Sequence, residues 1–578
     1  MVSLVVLAFA LPSINATESA ETPRTLPWLD PAKEETARDS RKKQREARRA
    51  RISERRFVGP LRDREVRTYD GTSNSLKHPE RGSTFQQLRR LAPSDYADGL
   101  SAMSGGDRPS PRAISSVVSD QGEFTIIPNS FGTSDFVWQW GQFIDHDIGL
   151  TDGAAEAADI PVPRGDVYFD PHGTGTQVIP FTRALFDPST GTDSPREQEN
   201  EITAWIDGSM VYGSSVERAA ALREGPDSPF LKTSPGNLLP KNVDGLSNAT
   251  GGRRDVTNLF LAGDIRANEQ VGLTAMHTLF VREHNRLARK IQRRAPKASA
   301  EDVFQAARRL VIAEIQIITY EEFLPALIGP NAIPPYRGYR KNRDGGIFNE
   351  FSVAAFRLGH SMVSNSVPRL DRRGRSVGDL ALRDAFFTAP EILTSEDSID
   401  YVLRGLASQR HQQLDAEISS ELSNFLFGPP GAGGLDLAAL NIQRGRDHGV
   451  PSYNDMREAM GLRRARTFAD ITKDPDMQQR LFEAYLHVDD VDLWVGGLAE
   501  KPRVRQGSQV GPLFRRILKR QFRNLRDGDR FWYERDLTPG EQEFVEGITL
   551  AKIIRRNTNI GPELQKNVFF VPEPRKKH

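Results

Sequence analysis

The sequence predicts a mainly α-helical protein, one large helical domain with few and short strands, and three observations lead there. Apolar residues recur at three- and four-residue spacing in Phe136 to Ile148, Thr274 to Arg293, Ala300 to Phe323, Phe351 to Val363 and Ala551 to Arg556, which puts them on one face of a helix. Alternating runs that would mark strands are short and scattered. The Pro- and Gly-rich stretches, such as Pro161 to Gly175 and Gly428 to Gly434, fall between helical segments and read as loops. No internal repeat is present, which excludes a solenoid or a propeller.

Along the chain, Met1 to Ala16 has an apolar centre and a small residue at its end, the pattern of a short signal peptide and hence of secretion. Its first residues hold no Lys or Arg, so a frayed terminus is the alternative. Residues 17–60 form a charged leader in which Arg41-Lys42-Lys43-Gln44-Arg45 opens a basic run, most simply a solvated linker, alternatively a tether to an anionic surface. Residues 61–572 form the domain and 573–578 a basic tail. The longest strongly apolar stretch, Leu4 to Leu11, falls far short of the roughly 20 residues of a transmembrane helix.

Composition removes whole classes of chemistry. Lys and Arg total 78 against 77 Asp and Glu over 578 residues, a net charge of +1, so no basic footprint for nucleic acid exists. Cys 0 excludes disulfides, thiolate zinc sites, iron–sulfur clusters, cysteine nucleophiles and thiolate-ligated haem. What remains is His, carboxylate, Arg, hydroxyl or cofactor chemistry.

Four segments carry such chemistry. In Gln142-Phe143-Ile144-Asp145-His146-Asp147, a helix puts Gln142 and His146 on one face while Asp145 and Asp147 project about 100° to either side. Two carboxylates beside an apolar run are costly without partners, and a metal is a natural one. In Gly263-Asp264-Ile265-Arg266-Ala267-Asn268-Glu269-Gln270, Arg266 and Glu269 stand three apart, the spacing of a site or of an ordinary ion pair. His360 in Phe356-Arg357-Leu358-Gly359-His360 is a core histidine or a ligand. Asn441-Ile442-Gln443-Arg444-Gly445-Arg446-Asp447 is a site or a structural charge network.

Taken together and in this order, the segments resemble the animal-type haem peroxidase superfamily, the group of myeloperoxidase, lactoperoxidase, thyroid peroxidase and peroxidasin. The likeness begins at Arg67-Thr68-Tyr69-Asp70-Gly71, continues through Tyr96-Ala97-Asp98-Gly99, and runs to Leu550-Ala551-Lys552-Ile553-Ile554. The resemblance implies haem b as cofactor, His146 as the distal base, Gln142 and Arg266 as its distal partners, and Asp145 and Glu269 as carboxylates that esterify the haem. It further implies His360 as the iron ligand, Asn441 as acceptor of its ring N–H, and Arg444 as partner of a haem propionate. Asp147, with Thr203, Trp205, Asp207 and Ser209, matches the family's calcium ligands, and such oxygens suit that hard cation. The alternating spacing from Thr203 to Ser209 is expected to put those ligands on one side of an extended loop, with a plain Ser/Thr/Asp turn as the alternative.

The implied reaction uses hydrogen peroxide to form a ferryl intermediate that oxidises bromide, iodide, thiocyanate or phenolic donors. Two departures narrow it. Gln270 stands where myeloperoxidase has a methionine bonded to haem, which removes the electron withdrawal expected to favour chloride oxidation. Arg357 stands where the cyclooxygenase and dioxygenase branches carry a radical-forming tyrosine, which argues against a dioxygenase. A peroxidase-like haem protein used in adhesion or extracellular assembly is the alternative, and the intact set Gln142, His146, Arg266 and His360 favours the enzyme. With no cysteine, the chain resembles a microbial or divergent member of that group.

Overall fold

Helix α1 (Phe136–Ile148) forms because Phe136, Trp140, Phe143, Ile144 and Ile148 share a face, and all five are buried. Asp135 seats its N-terminus, accepting from Trp138 Nε1, Ser364 Oγ and Gln409 Nε2 at 2.8–2.9 Å. Extended Gly149 ends it. The structure is a computed structural model that describes residues 64–572 apart from residues 124, 253 and 432. The signal peptide expected over 1–16, the charged leader over 17–60, the first three residues of the domain and the basic tail over 573–578 lie outside the described residues.

The other helices that position the site are α2 (Ser209–Tyr212), α3 (Val271–Arg294), α4 (Ala300–Ile318), α5 (Gly359–Met362), α6 (Leu437–Asp447), α7 (Pro512–Asp527) and α8 (Leu550–Asn557). Side-chain caps start most of them. Gln270 accepts from the Gly272 N–H at 2.6 Å at the head of α3, and Ser299, followed by Glu301 and Asp302, caps α4. Helices α3 and α4 lie along one another, with α8 on α3. Helix α1 crosses α3, where Phe143 stacks on Phe280 at 5.2 Å and meets the edge of His277 at 5.1 Å. One hydrophobic cluster runs through these helices, and a small second one (Ile160, Val162, Phe169, Ile179, Phe181, Ala439) lies beneath α6.

Two expected helices differ from the sequence pattern. The segment 300–323 is α-helical only to Ile318 and continues as a π-helical turn, Thr319–Phe323. The segment 351–363 is a π-helical turn (Phe351–Ala355), a 3-10 turn (Phe356–Leu358) and then α5, rather than one regular helix. The cause is side-chain stacking: Phe351 and Phe356, five apart, lie ring on ring at 4.7 Å and 17°, which the wider π turn allows. Both phenylalanines rest against Phe522 on the apolar face of α7 (5.7 and 5.5 Å). Strands are short, as expected: the described residues hold four two-stranded antiparallel sheets, among them Gly153–Ala157 with Thr182–Ala184.

Burial pushes the Asp135 carboxyl up to about 7, against its three donors. An acid raised from 3.8 contributes stability that is fully present below that value and lost as pH rises through 7. The stability advantage of wild type over Asp135→Asn, which cannot ionise, is therefore larger at pH 5 than at pH 8. Thermal melts at both values check this, and an advantage that grows with pH contradicts it.

Candidate active site

Helix geometry sends Gln142, Asp145, His146 and Asp147 of α1 toward their partners. His146 is buried, its Nδ1 3.6 Å from Asp264 and its Nε2 3.8 Å from Glu269 Oε2. Nδ1 makes no hydrogen bond. Burial, reinforced by the Arg266 guanidinium, holds the imidazole well below its usual range, so it is neutral near pH 7. Gln142 donates to Glu269 Oε2 at 2.9 Å, and Asp145 lies 3.9 Å from Arg266. Burial raises both carboxyls, Asp145 to about 6 and Glu269 to about 7.

Arg266 and Glu269 do not form the ordinary ion pair of a helical turn, because residues 263–269 are bends and turns. Asp264 takes the guanidinium instead. It accepts from Arg266 Nε at 2.9 Å, Nη2 at 2.8 Å and the backbone N–H at 2.8 Å, while Nη2 also reaches the Gly149 carbonyl at 3.0 Å. Burial opposes both charges, but their pairing wins: Asp264 is held below and Arg266 above the ordinary range. The result is a fixed cation beside a neutral imidazole.

On the far side of α1, Asp147 is fully buried. Its carboxylate accepts from the Gly208 N–H (3.2 Å), Ser209 Oγ (3.0 Å) and the Met210 N–H (3.3 Å). Asp207 accepts from Thr203 Oγ1 at 2.9 Å, and its N–H donates to the Trp205 carbonyl at 2.9 Å. Ser209 thus touches Asp147 directly, while Thr203 and Trp205 engage Asp207, the carboxylate whose charge Asp147 feels. The loop that brings them is curled rather than extended as the spacing suggested: left-handed Gly208 (φ 74°) turns it into α2. Burial and mutual repulsion push Asp147 well up, and burial lifts Asp207 to about 6. Among the described residues no cluster of three or more His, Asp and Glu forms a metal site. This set instead combines two carboxylates with two hydroxyls and a backbone carbonyl, a composition suited to Ca²⁺.

Helix α5 packs on α1 and carries His360, half-buried and held by burial down at about 3, hence neutral. Asn441, from α6, lies beside it but with the amide reversed from expectation. Asn441 Nδ2, not Oδ1, stands 2.8 Å from His360 Nδ1, because Oδ1 accepts from Arg357 Nη1 at 3.1 Å and a guanidinium can only donate. Arg444 pairs with Asp447 at 2.9 Å and stacks on Phe181. Arg357, by contrast, has no carboxylate within ion-pair distance among the described residues, and burial beside Arg444 lowers it to about 10. Two adjacent guanidiniums, one without a counter-charge, constitute a seat for an anionic group.

The animal haem peroxidase family profile matches residues 66–569. Peroxinectin A of Dictyostelium discoideum is 39% identical over 526 residues, covering 89% of this chain and 97% of that protein. Lactoperoxidase of Mesocricetus auratus is 36% identical, covering 86% and 76% respectively. The solved structure of peroxidase A from Dictyostelium discoideum superposes with a TM-score of 0.82 at 37% identity, covering 88% of this chain and all of that one. The chain belongs to the animal haem peroxidase family, and it is a haem-dependent peroxidase. No described helix is long and apolar enough to cross a membrane.

Three residues of the site escape a reading of the sequence. Asp264 and Arg357 act through partners that only the turn and the tertiary fold supply, although an Asp two residues before Arg is a signal for an Asx turn. Gln270 was legible only as the residue that replaces a methionine. Besides capping α3, it donates to Gln139 Oε1 at 2.7 Å and Gln142 Oε1 at 3.1 Å, which turns the Gln142 amide so that its nitrogen faces Glu269. Gln270→Leu removes the cap and deprives the buried Gln139 Oε1 of its donor, a loss of about 1–3 kcal/mol. Denaturant unfolding measures it, and unchanged stability contradicts the assignment.

Proposed function

We propose that the site reduces hydrogen peroxide and oxidises small anions (bromide, iodide, thiocyanate) or phenolic donors, with haem b held between α1 and α5. The observation that carries this reading is the convergence of a neutral His146, a paired Arg266 and the Gln142 amide on one side, opposite a neutral His360 backed by Asn441, Arg357 and Arg444. The residues fit the group. His360 supplies an imidazole ligand, and the unpaired Arg357 with Arg444 supplies the charge a propionate requires. Asp145 and Glu269 are the carboxyls available for ester links.

Haem, when bound, would supply the redox-active iron that accepts the oxidising equivalents of peroxide. The protein supplies the proton handling. With Nδ1 turned toward Asp264, His146 presents Nε2 as an acceptor; it takes the proton from peroxide and returns it to the departing oxygen. Arg266, locked by Asp264, stabilises the negative charge that develops there without having to reorganise. Arg357 and Arg444 would hold the anionic edge of the haem and His360 would be its imidazole ligand; with Arg357 so engaged, the Asn441 oxygen would be free to accept from His360 Nδ1–H. Secretion follows from the signal-peptide reading of residues 1–16.

His146→Ala slows the reaction with peroxide by roughly 10²–10⁴ in stopped-flow mixing, and a wild-type rate places the base elsewhere. Calcium between Asp147 and Asp207 ties α1 to the 203–209 loop, so chelated protein gains melting temperature when Ca²⁺ is added back. The same titration on Asp147→Ala gives no gain; a gain there, or none in wild type, contradicts the site.

A further inference from the structure

Away from the haem site, electron-rich rings concentrate in one place. Of 11 tyrosines in the chain, Tyr320, Tyr336 and Tyr533 gather around Trp532, although they come from separate segments, and Tyr339 lies under Arg535. Trp532 is the hub, with ring centroids 4.9 Å from Tyr320, 4.9 Å from Tyr533 and 6.0 Å from Tyr336. Inward the contacts continue from Tyr320 to Phe522 (6.2 Å) and from Phe522 to Phe356 (5.5 Å), one turn before His360. Outward, the loop that carries Tyr336 continues into an open groove of about 620 Å³ lined by Tyr339, Arg340, Lys341, Asn342 and Arg343. Arg340 reaches Asp527 only at 3.9 Å, and Arg340 and Lys341 are exposed.

We propose that this patch is a second oxidation site, at which bulky anionic phenols dock on the basic groove and pass electrons through Trp532 and Tyr320 toward the haem. The proposal rests on the peroxidase reading and on His360 as the haem-side residue. Contiguous rings couple electronically, and the partners decide where the missing electron settles. The Tyr320 hydroxyl donates to the Phe522 carbonyl, which is no base, and burial keeps its proton bound; Tyr320 is a bridge. The Trp532 indole N–H donates to the Glu534 carboxylate at 3.3 Å, which can accept its proton. Arg526 stands over Tyr320 and Tyr336 and disfavours a positive ring there, whereas no cation stacks on Trp532 among the described residues.

The balance closes on the established activity. Peroxide delivers two oxidising equivalents at the haem; each draws one electron from Trp532, whose indole proton passes to Glu534. A docked phenol then gives one electron to Trp532 and loses its own proton to solvent, while Glu534 returns the indole proton. Each peroxide thus becomes two waters as two phenols become phenoxyl radicals.

Lignosulfonate, an anionic phenolic polymer too large for a buried pocket, is the probe, with guaiacol as the small donor and halide-free buffer throughout. Trp532→Phe keeps the ring packing and removes the oxidisable indole. The expected result is a loss of about tenfold or more in lignosulfonate turnover with guaiacol turnover unchanged, together with loss of the tryptophan radical seen by freeze-quench electron paramagnetic resonance of peroxide-treated wild type. Tyr320→Leu, which removes the bridging ring, gives the same split, and Arg340→Glu/Lys341→Glu raises KM for lignosulfonate while keeping the radical. Wild-type lignosulfonate turnover and an unchanged radical in Trp532→Phe overturn the proposal. Loss of guaiacol turnover in wild type would instead overturn the underlying peroxidase reading.

Discussion

The grip of the 203–209 loop on Asp147 is the constraint from which the rest of the site follows. Asp147 follows His146 on α1, and Gly208, Ser209 and Met210 hold its carboxylate from a segment about 60 positions away. Because α1 is rigid over one turn, fixing Asp147 fixes the direction of His146, Asp145 and Gln142 together. A second buried carboxylate, Asp207, faces Asp147 at that junction, and burial together with its repulsion holds the Asp147 carboxyl well above the usual range.

Environment, more than residue type, assigns the chemical roles. His146 is neutral because it is buried beside a guanidinium, and Arg266 stays charged under equal burial because Asp264 grips it with three hydrogen bonds. Proton acceptor and fixed positive charge thus sit side by side without competing for a proton. Gln270 gives a structural reason for its own presence: it caps α3 and aims the Gln142 amide in one set of contacts.

Much of this was legible from residues 136 to 148, whose apolar spacing gave α1 its observed bounds and put Gln142 and His146 on one face. Periodicity could not foresee the π turn at Phe351, since the five-residue stacking of Phe351 on Phe356 violates the helical repeat on which the reading depends. Nor could spacing give the curl at Gly208 or the reversed Asn441 amide, which are settled by a positive φ and by a donor, Arg357, that arrives from another helix. Local pattern encodes the elements, and the hydrogen-bond directions at the site are tertiary.

The central claim is that His360 is the residue through which the fold holds its haem. Reconstitution of wild type and His360→Ala with haem, followed by absorption and low-temperature magnetic resonance spectra, tests it most directly. The account predicts a stoichiometric histidine-ligated spectrum in wild type and a largely haem-free variant that regains haem when imidazole is supplied. Full occupancy with an unchanged spectrum in His360→Ala would contradict it.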